Sequence, residues 1–144
     1  MFRRILVAYD GSPNASQALT LAVDLAQRYD AKLCLMHAFP HVSDLLGTPQ
    51  YEQLLTARTL IGQQVLDSAC REVGAAVPVE TQLLEGPPAP AILRVVADEE
   101  YELIVMGSRG HGQISGLLLG SVSNTVAQRA LCPVLIVHDQ QRRH

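Results

Sequence analysis

From its first residues the chain alternates short apolar runs with stretches in which apolar positions recur every three or four residues. ILVAY at 5–9 is apolar on both sides and predicts a strand. Ser12 and Pro13 then supply an N-cap and a first-turn proline. The helix that follows keeps Ala18, Leu19, Ala22, Leu25, Ala26 and Tyr29 on one stripe. KLCLMHAF at 32–39 predicts a second strand, and PHVSDLLGTPQ at 40–50 a loop that is long for such a connection. A second helix over roughly 50–73 has Leu54, Ile61, Val65, Ala69 and Val73 on its apolar side, with Gly74 as its stop. VETQLL at 79–84 alternates as a half-buried third strand would. The prolines of EGPPAP suit a loop and a first turn, after which Ile92, Val95 and Val96 anchor a third helix. LIVM at 103–106 and PVLIV at 133–137 are the fourth and fifth strands. Between them lie a glycine-rich loop and a fourth helix with Val122, Val126 and Ala130 at helical spacing.

The order is β-α-β-α-β-α-β-α-β. Continuous Val/Ile/Leu strands joined by helices predict a doubly wound, Rossmann-like α/β fold, a parallel sheet covered on both faces. The pattern has no internal repeat and no low-complexity tract, so residues 1–144 read as one domain.

Composition narrows the function. With 48% hydrophobic and 17% charged residues the chain is globular rather than disordered. A net charge of -3 and the lack of a basic patch argue against nucleic acid as a partner. The arginines of MFRRILVAYDG precede an apolar run too short for a signal peptide, and no stretch approaches the length of a membrane span. The expected compartment is the cytoplasm. Cys34, Cys70 and Cys132 are widely spaced, without the CxxC pattern of a zinc site or the even count of a disulfide framework.

In an open α/β sheet, ligands bind beyond the carboxyl ends of the strands where the strand order reverses. The loops to inspect are Asp10-Gly11-Ser12, Ala38-Phe39 and MGSRGHG after the fourth strand. A Walker A loop needs a lysine after its last glycine, and the only lysine is Lys32, at the start of the second strand. A dinucleotide GxGxxG belongs after the first strand, and the nearest match, GHGQISG, lies after the fourth with one residue too many. A different spacing is present: Gly107, Gly110, nine residues, then Gly120 and Ser121. Gly107 is expected to let the chain leave the strand at positive φ and with no Cβ in the way, and Gly110 to let backbone approach a ligand. Gly120 and Ser121 fall where the fourth helix starts, and free amides at a helix start favour an anion. The blander alternative is a loop rich in glycine with a serine that caps its helix. Asp10 is either a turn aspartate or a carboxylate that accepts from a ribose hydroxyl or helps hold a metal. Arg109 and His111 are the positive candidates on the loop, each turned either to a ligand or to solvent. His37, His41, His138 and His144 lack metal-ligand spacing. No serine is paired by motif with a base, so fast chemistry is not expected.

These segments together resemble the universal stress protein family. RRILVAYDGSPNASQAL is similar to its first strand, acidic turn and helix, LCLMHAF to its second strand, EGPPAPAI with YELIVMGSRG to its Gly-x-Pro segment and fourth strand, and ALCPVLIVHD to its closing Cys-Pro strand. The G-x-x-G-nine-G-S spacing is similar to the signature of its ATP-binding branch. Glu102 stands where the family more often has Asp. The resemblance implies a sheet of order 3-2-1-4-5 with ATP, accompanied by Mg, between strands one and four. It implies that Ala8, Tyr9 and Asp10 line the adenosine side and that Ala38 offers main-chain groups to the adenine. Met106, Gly107 and Gly110 would wall the ribose and phosphates, with Arg109 beside them, and Gly120, Ser121, Val122 and Ser123 would bind the phosphates. It also implies a homodimer built on the fifth strand, in accord with the apolar run 134–137, which should not stay exposed. The leading expectation is a regulatory ATP-binding protein of the stress response. The alternatives are slow ATP hydrolysis or autophosphorylation at Ser121 or Ser123, an AMP- or adenosine-selective sensor, and an adaptor dimer with a vestigial site.

Overall fold

A computed structural model describes residues 1–109 and 119–139. Gly110 and His111 of the expected site lie outside the described residues. Five strands form one parallel sheet in the order β3-β2-β1-β4-β5, as the resemblance implied. They are β1 (Arg4–Ala8), β2 (Lys32–Phe39), β3 (Val79–Glu85), β4 (Leu103–Gly107) and β5 (Val134–Val137). The α-helices among the described residues are α1 (Pro13–Tyr29), α2 (Thr48–Val73), α3 (Pro88–Glu99) and α4 (Ser121–Arg129).

Alternation along the central strands splits the core in two. Ile5, Val7, Leu33, Leu35, Leu103 and Val105 pack with α1 and α2 on one face. Leu6, Cys34, Met36, Ile104 and Met106 pack with α3 and α4 on the other. This is why the central strands read as continuous apolar runs: both faces of each are covered. Within α1 the buried stripe is Ala15, Ala18, Leu19, Ala22 and Ala26, mostly alanine. Small side chains let the helix lie close to the sheet. Tyr29, expected on that stripe, is 42% exposed at the helix end, where its ring meets Phe2 edge-on at 5.3 Å.

Helix starts and stops follow local chemistry. The Ser12 hydroxyl accepts from the Ala15 amide at 3.1 Å, and Pro13 opens α1. Gly74 ends α2 at φ +60. Two expectations need correction. The segment 40–50 is not all loop: Asp44–Leu46 is a 3-10 helix capped by Ser43, and α2 already begins at Thr48, with Pro49 in its first turn. The buried side of α2 is Gly62, Leu66, Ala69 and Val73, whereas Ile61 is 61% exposed. The helix turns its smallest residue toward the sheet because a Cβ at Gly62 would lie 2.6 Å from Leu83 Cδ1. Glu102 has a clear structural task. Its Oε1 accepts from the amides of Arg3 at 2.7 Å and Arg4 at 3.1 Å, tying the start of β1 to that of β4.

Candidate functional site

Helices α1 and α2 lead outward from β1 through β2 to β3, and α3 returns the chain across the sheet to β4 on the other side of β1. The direction of winding therefore reverses between β1 and β4. The gap beyond their carboxyl ends is the ordinary ligand position of such folds.

On the β1 side the last rung is the Tyr9 amide donating to the Met36 carbonyl at 2.8 Å. The chain then turns: Asp10 Oδ1 accepts from the Ser12 amide at 3.0 Å, and Gly11 adopts φ +82. That is an Asx turn, so the turn reading of Asp10 is satisfied while its half-buried carboxylate stays at the mouth of the gap. Tyr9 places its ring in the core under α1 and α2, not beside Ala8. Its hydroxyl is shared by Ser16 Oγ at 3.3 Å and Glu72 Oε1 at 3.2 Å. Burial raises the phenol pKa, and the nearby charges of Glu72 and Asp10 push the same way, against the hydrogen bond from Ser16. The ring is a strut between helices, and Tyr9 offers the gap only its main chain.

The neighbouring β2 runs on past the end of β1. Paired register between them stops at Ala8 with Met36. In a parallel ladder the amides and carbonyls of alternate residues face alternate neighbours. Those of Leu33 and Phe39 face β3, and those of Lys32 and Met36 face β1. Ala38 therefore points both main-chain groups toward the β1 side, beyond its last rung.

On the β4 side the structure corrects the role of Gly107. Its φ is not positive. A Cβ there would lie 2.6 Å from Asn14 Oδ1 and 3.1 Å from the Asn14 carbonyl, so close approach of α1 demands the glycine. Asn14 is the residue that sequence reasoning missed. Only 4% exposed, it donates from Nδ2 to the Val137 carbonyl at 3.0 Å. Its Oδ1 accepts from the Arg109 amide at 2.9 Å and Ser108 Oγ at 3.3 Å. One amide side chain thus pins the start of α1, the exit of β4 and the end of β5. Arg109 follows, 7% exposed. Met106 is buried against the α3 and α4 side, the same side as Ala8.

The start of α4 closes the site. Gly120 is its N-cap and α4 has no side-chain cap, so Ser121 does not cap the helix. The Gly120 amide donates to the Ser108 carbonyl at 2.7 Å, and the Ser123 hydroxyl donates to the same carbonyl at 2.7 Å. Ser123 is 2% exposed and turned inward, whereas Ser121 is exposed and Val122 half-buried. The first helical bond runs from the Asn124 amide to the Gly120 carbonyl. The amides of residues 121–123 are left as the unfilled donors of the first turn, at the positive end of the helix.

The Ser108 and Ser123 hydroxyls are committed to structural acceptors. Among the described residues no three His, Cys, Asp or Glu side chains cluster to hold a metal unaided. Burial raises the pKa of Cys34, Cys70 and Cys132, which keeps these thiols protonated and poor nucleophiles.

The sequence model of the universal stress protein family matches residues 1–138. A universal stress protein of Thermus aquaticus is 44% identical over 138 residues, covering 95% of this chain and 99% of its own. Among solved structures, the universal stress protein UspA from Lactobacillus plantarum superposes with a TM-score of 0.82 at 26% identity, covering 94% of this chain and 97% of its own. A universal stress protein in complex with cAMP superposes with a TM-score of 0.75 at 28% identity, covering 95% and 97% of the two chains.

Proposed function

Because the chain belongs to the universal stress protein family, we propose that it binds an adenine nucleotide, ATP with Mg, in the gap between β1 and β4, and acts as a regulatory homodimer in the cytoplasm under stress. What supports this reading is a start of α4 without a side-chain cap, tied to the exit of β4, together with the main-chain edge of Ala38 running past the last β1–β2 pair. One feature suits an anion and the other a base.

In this reading Ala8, the main chain of Tyr9, and Asp10 border the nucleoside, and Met106, Gly107 and Arg109 border the ribose and phosphates. The amides of Ser121, Val122 and Ser123 hold the phosphates, with Gly120 leaving room for them. An amide and a carbonyl presented by one residue match a base with an acceptor beside a donor, as on the adenine edge; guanine offers O6 as an acceptor where adenine offers a donor. The donor set also fits magnesium, which binds through one or two carboxylates, phosphate oxygens and retained water. Asp10 would supply the carboxylate. The ion would provide the positive charge that a lysine provides in a Walker A loop.

The family neighbour in complex with cAMP supports an adenine ligand and leaves a monophosphate as the second reading. The dimer is supported by the edge of the sheet. The amides of Ile104 in β4 and of Ser108 just past it donate to the carbonyls of Pro133 and Val137, so the main-chain groups of Val134 and Ile136 face outward, unpaired by β4.

The test is mass spectrometry of nucleotide retained through purification, followed by calorimetry with ATP, ADP, AMP and GTP, with and without Mg. The expected result is adenine-selective binding with ATP strengthened by Mg. Equal binding of GTP would remove the base assignment, and AMP binding tighter than ATP would favour the monophosphate sensor. ATP turnover at about 1 s⁻¹ or faster, ordinary for an enzyme, would replace the regulatory reading.

A further inference from the structure

The open edge at Ala38 raises a physical question: why does the β1–β2 ladder stop where it does? The next rung would be the Ala38 amide donating to the Tyr9 carbonyl, since the preceding one is the Tyr9 amide donating to the Met36 carbonyl at 2.8 Å. The Tyr9 carbonyl is instead taken by a side chain. His37 Nδ1 lies 2.8 Å from it. A carbonyl can only accept, so Nδ1 carries the proton and donates. The imidazole is held in that pose from above. Helix α2 passes over it at Gly62, where a Cβ would lie 3.5 Å from His37 Cδ2 and 2.6 Å from Leu83 Cδ1. The glycine lets the helix come down onto the ring.

We propose that His37 is a positioning residue for the nucleotide base: by occupying the Tyr9 carbonyl it prevents one further rung of the sheet and keeps the Ala38 amide and carbonyl available to the ligand. The inference rests on the adenine-nucleotide reading above for its ligand, but its structural half stands on the hydrogen bond alone. A buried or half-buried main-chain amide finds a partner wherever one is offered. Without His37 the nearest acceptor for Ala38 is the Tyr9 carbonyl, one step along an existing ladder. The sheet would gain a rung and the site would lose its base-reading edge. This separates His37 from an ordinary packing residue, whose loss lowers stability and affinity together.

The experiment compares wild type, His37→Leu and His37→Asn by amide hydrogen exchange of the ligand-free protein and by calorimetry with AMP and ATP. In wild type the Ala38 amide exchanges rapidly while that of Met36, inside the ladder, is protected. His37→Leu slows Ala38 exchange about ten-fold or more and weakens nucleotide about ten-fold or more, the scale of one lost hydrogen bond at a desolvated site, with no fall in melting temperature. His37→Asn, whose amide can replace the Nδ1 donor, restores fast exchange and affinity. The proposal is overturned if Ala38 in wild type is as protected as Met36, if His37→Leu leaves exchange and affinity unchanged, or if His37→Asn behaves as His37→Leu does. Should wild type take up no adenine nucleotide, the ligand reading falls by itself, and the exchange comparison still decides whether His37 holds the ladder open.

Discussion

Asn14 shows how much of the site hangs on one side chain. It donates to the end of β5 and accepts from two groups at the exit of β4, while being almost fully buried. Removing it takes one of two donors from the Val137 carbonyl, which keeps the Ser108 amide, and takes the Asn14 oxygen from the Arg109 amide and the Ser108 hydroxyl; each such bond contributes about 0.5–1.5 kcal/mol. Asn14→Ala is expected to lower unfolding stability by about 2–4 kcal/mol on urea titration and to weaken nucleotide binding with it, because the β4 exit is no longer held. A loss below about 0.5 kcal/mol, the range of ordinary surface changes, would show that the network is not cooperative. Nothing in SPNAS marks this asparagine, which reads as a plain residue in a helix start. Gly107 was legible as a position with no room for a Cβ, but its φ is not positive, and it is a neighbour across the fold that takes the room.

Elements respond to their faces and ends. For α2 the contrast is Leu66, fully buried, against Ile61, 61% exposed. Leu66→Ala should cost about 2–5 kcal/mol through lost burial and a cavity, and Ile61→Ala no more than about 0.5 kcal/mol; denaturant midpoints of the two variants decide it. The apolar period alone placed Ile61 on the inner side because isoleucine outranks glycine in hydrophobicity, yet the sheet leaves room there only for the glycine. For α4 the proposed phosphate contact rests on main-chain amides rather than hydroxyls. Gly120→Val crowds the Ser108 carbonyl, which a Cβ would already approach to 3.4 Å, and should lower ATP affinity about ten-fold or more, the scale of a lost charge-assisted hydrogen bond. Ser121→Ala keeps its amide and should change affinity by less than about three-fold, or well under 1 kcal/mol. Calorimetry that found the reverse order would move the phosphate contact from the backbone to the hydroxyl.

Across the whole molecule, the two cores bury acidic groups in their neutral form. Burial raises the pKa of Tyr9 in one, and of Cys34 and Tyr101 in the other, above their ordinary values. Above pH ~9 the unfolded chain releases protons that the folded chain keeps, so the folded state binds more protons and stability falls as pH rises. The contribution is fully present below the unfolded pKa values and is lost through the alkaline range. A melting temperature that stays flat from pH 8 to pH 11 would contradict this, and Cys34→Ala should make the decline shallower. The proposed dimer belongs to this scale as well: sedimentation equilibrium should find a dimer, and a monomer at every concentration would remove the proposal of a β5 interface.

The element order, all five strands, the cap at Ser12, the stop at Gly74 and the glycine spacing around β4 were legible in the linear chain, because each is a local matter of period, propensity or turn chemistry. The family resemblance added the strand order. What a local pattern does not carry is contact between residues far apart in sequence. Asn14 meets Ser108 across 94 positions, His37 meets the Tyr9 carbonyl across 28, and Gly62 meets Leu83 across the α2–β3 turn. Whether an asparagine is a staple, a histidine a spacer or a glycine a point of close approach is decided only when the folded sheet brings the second partner to it.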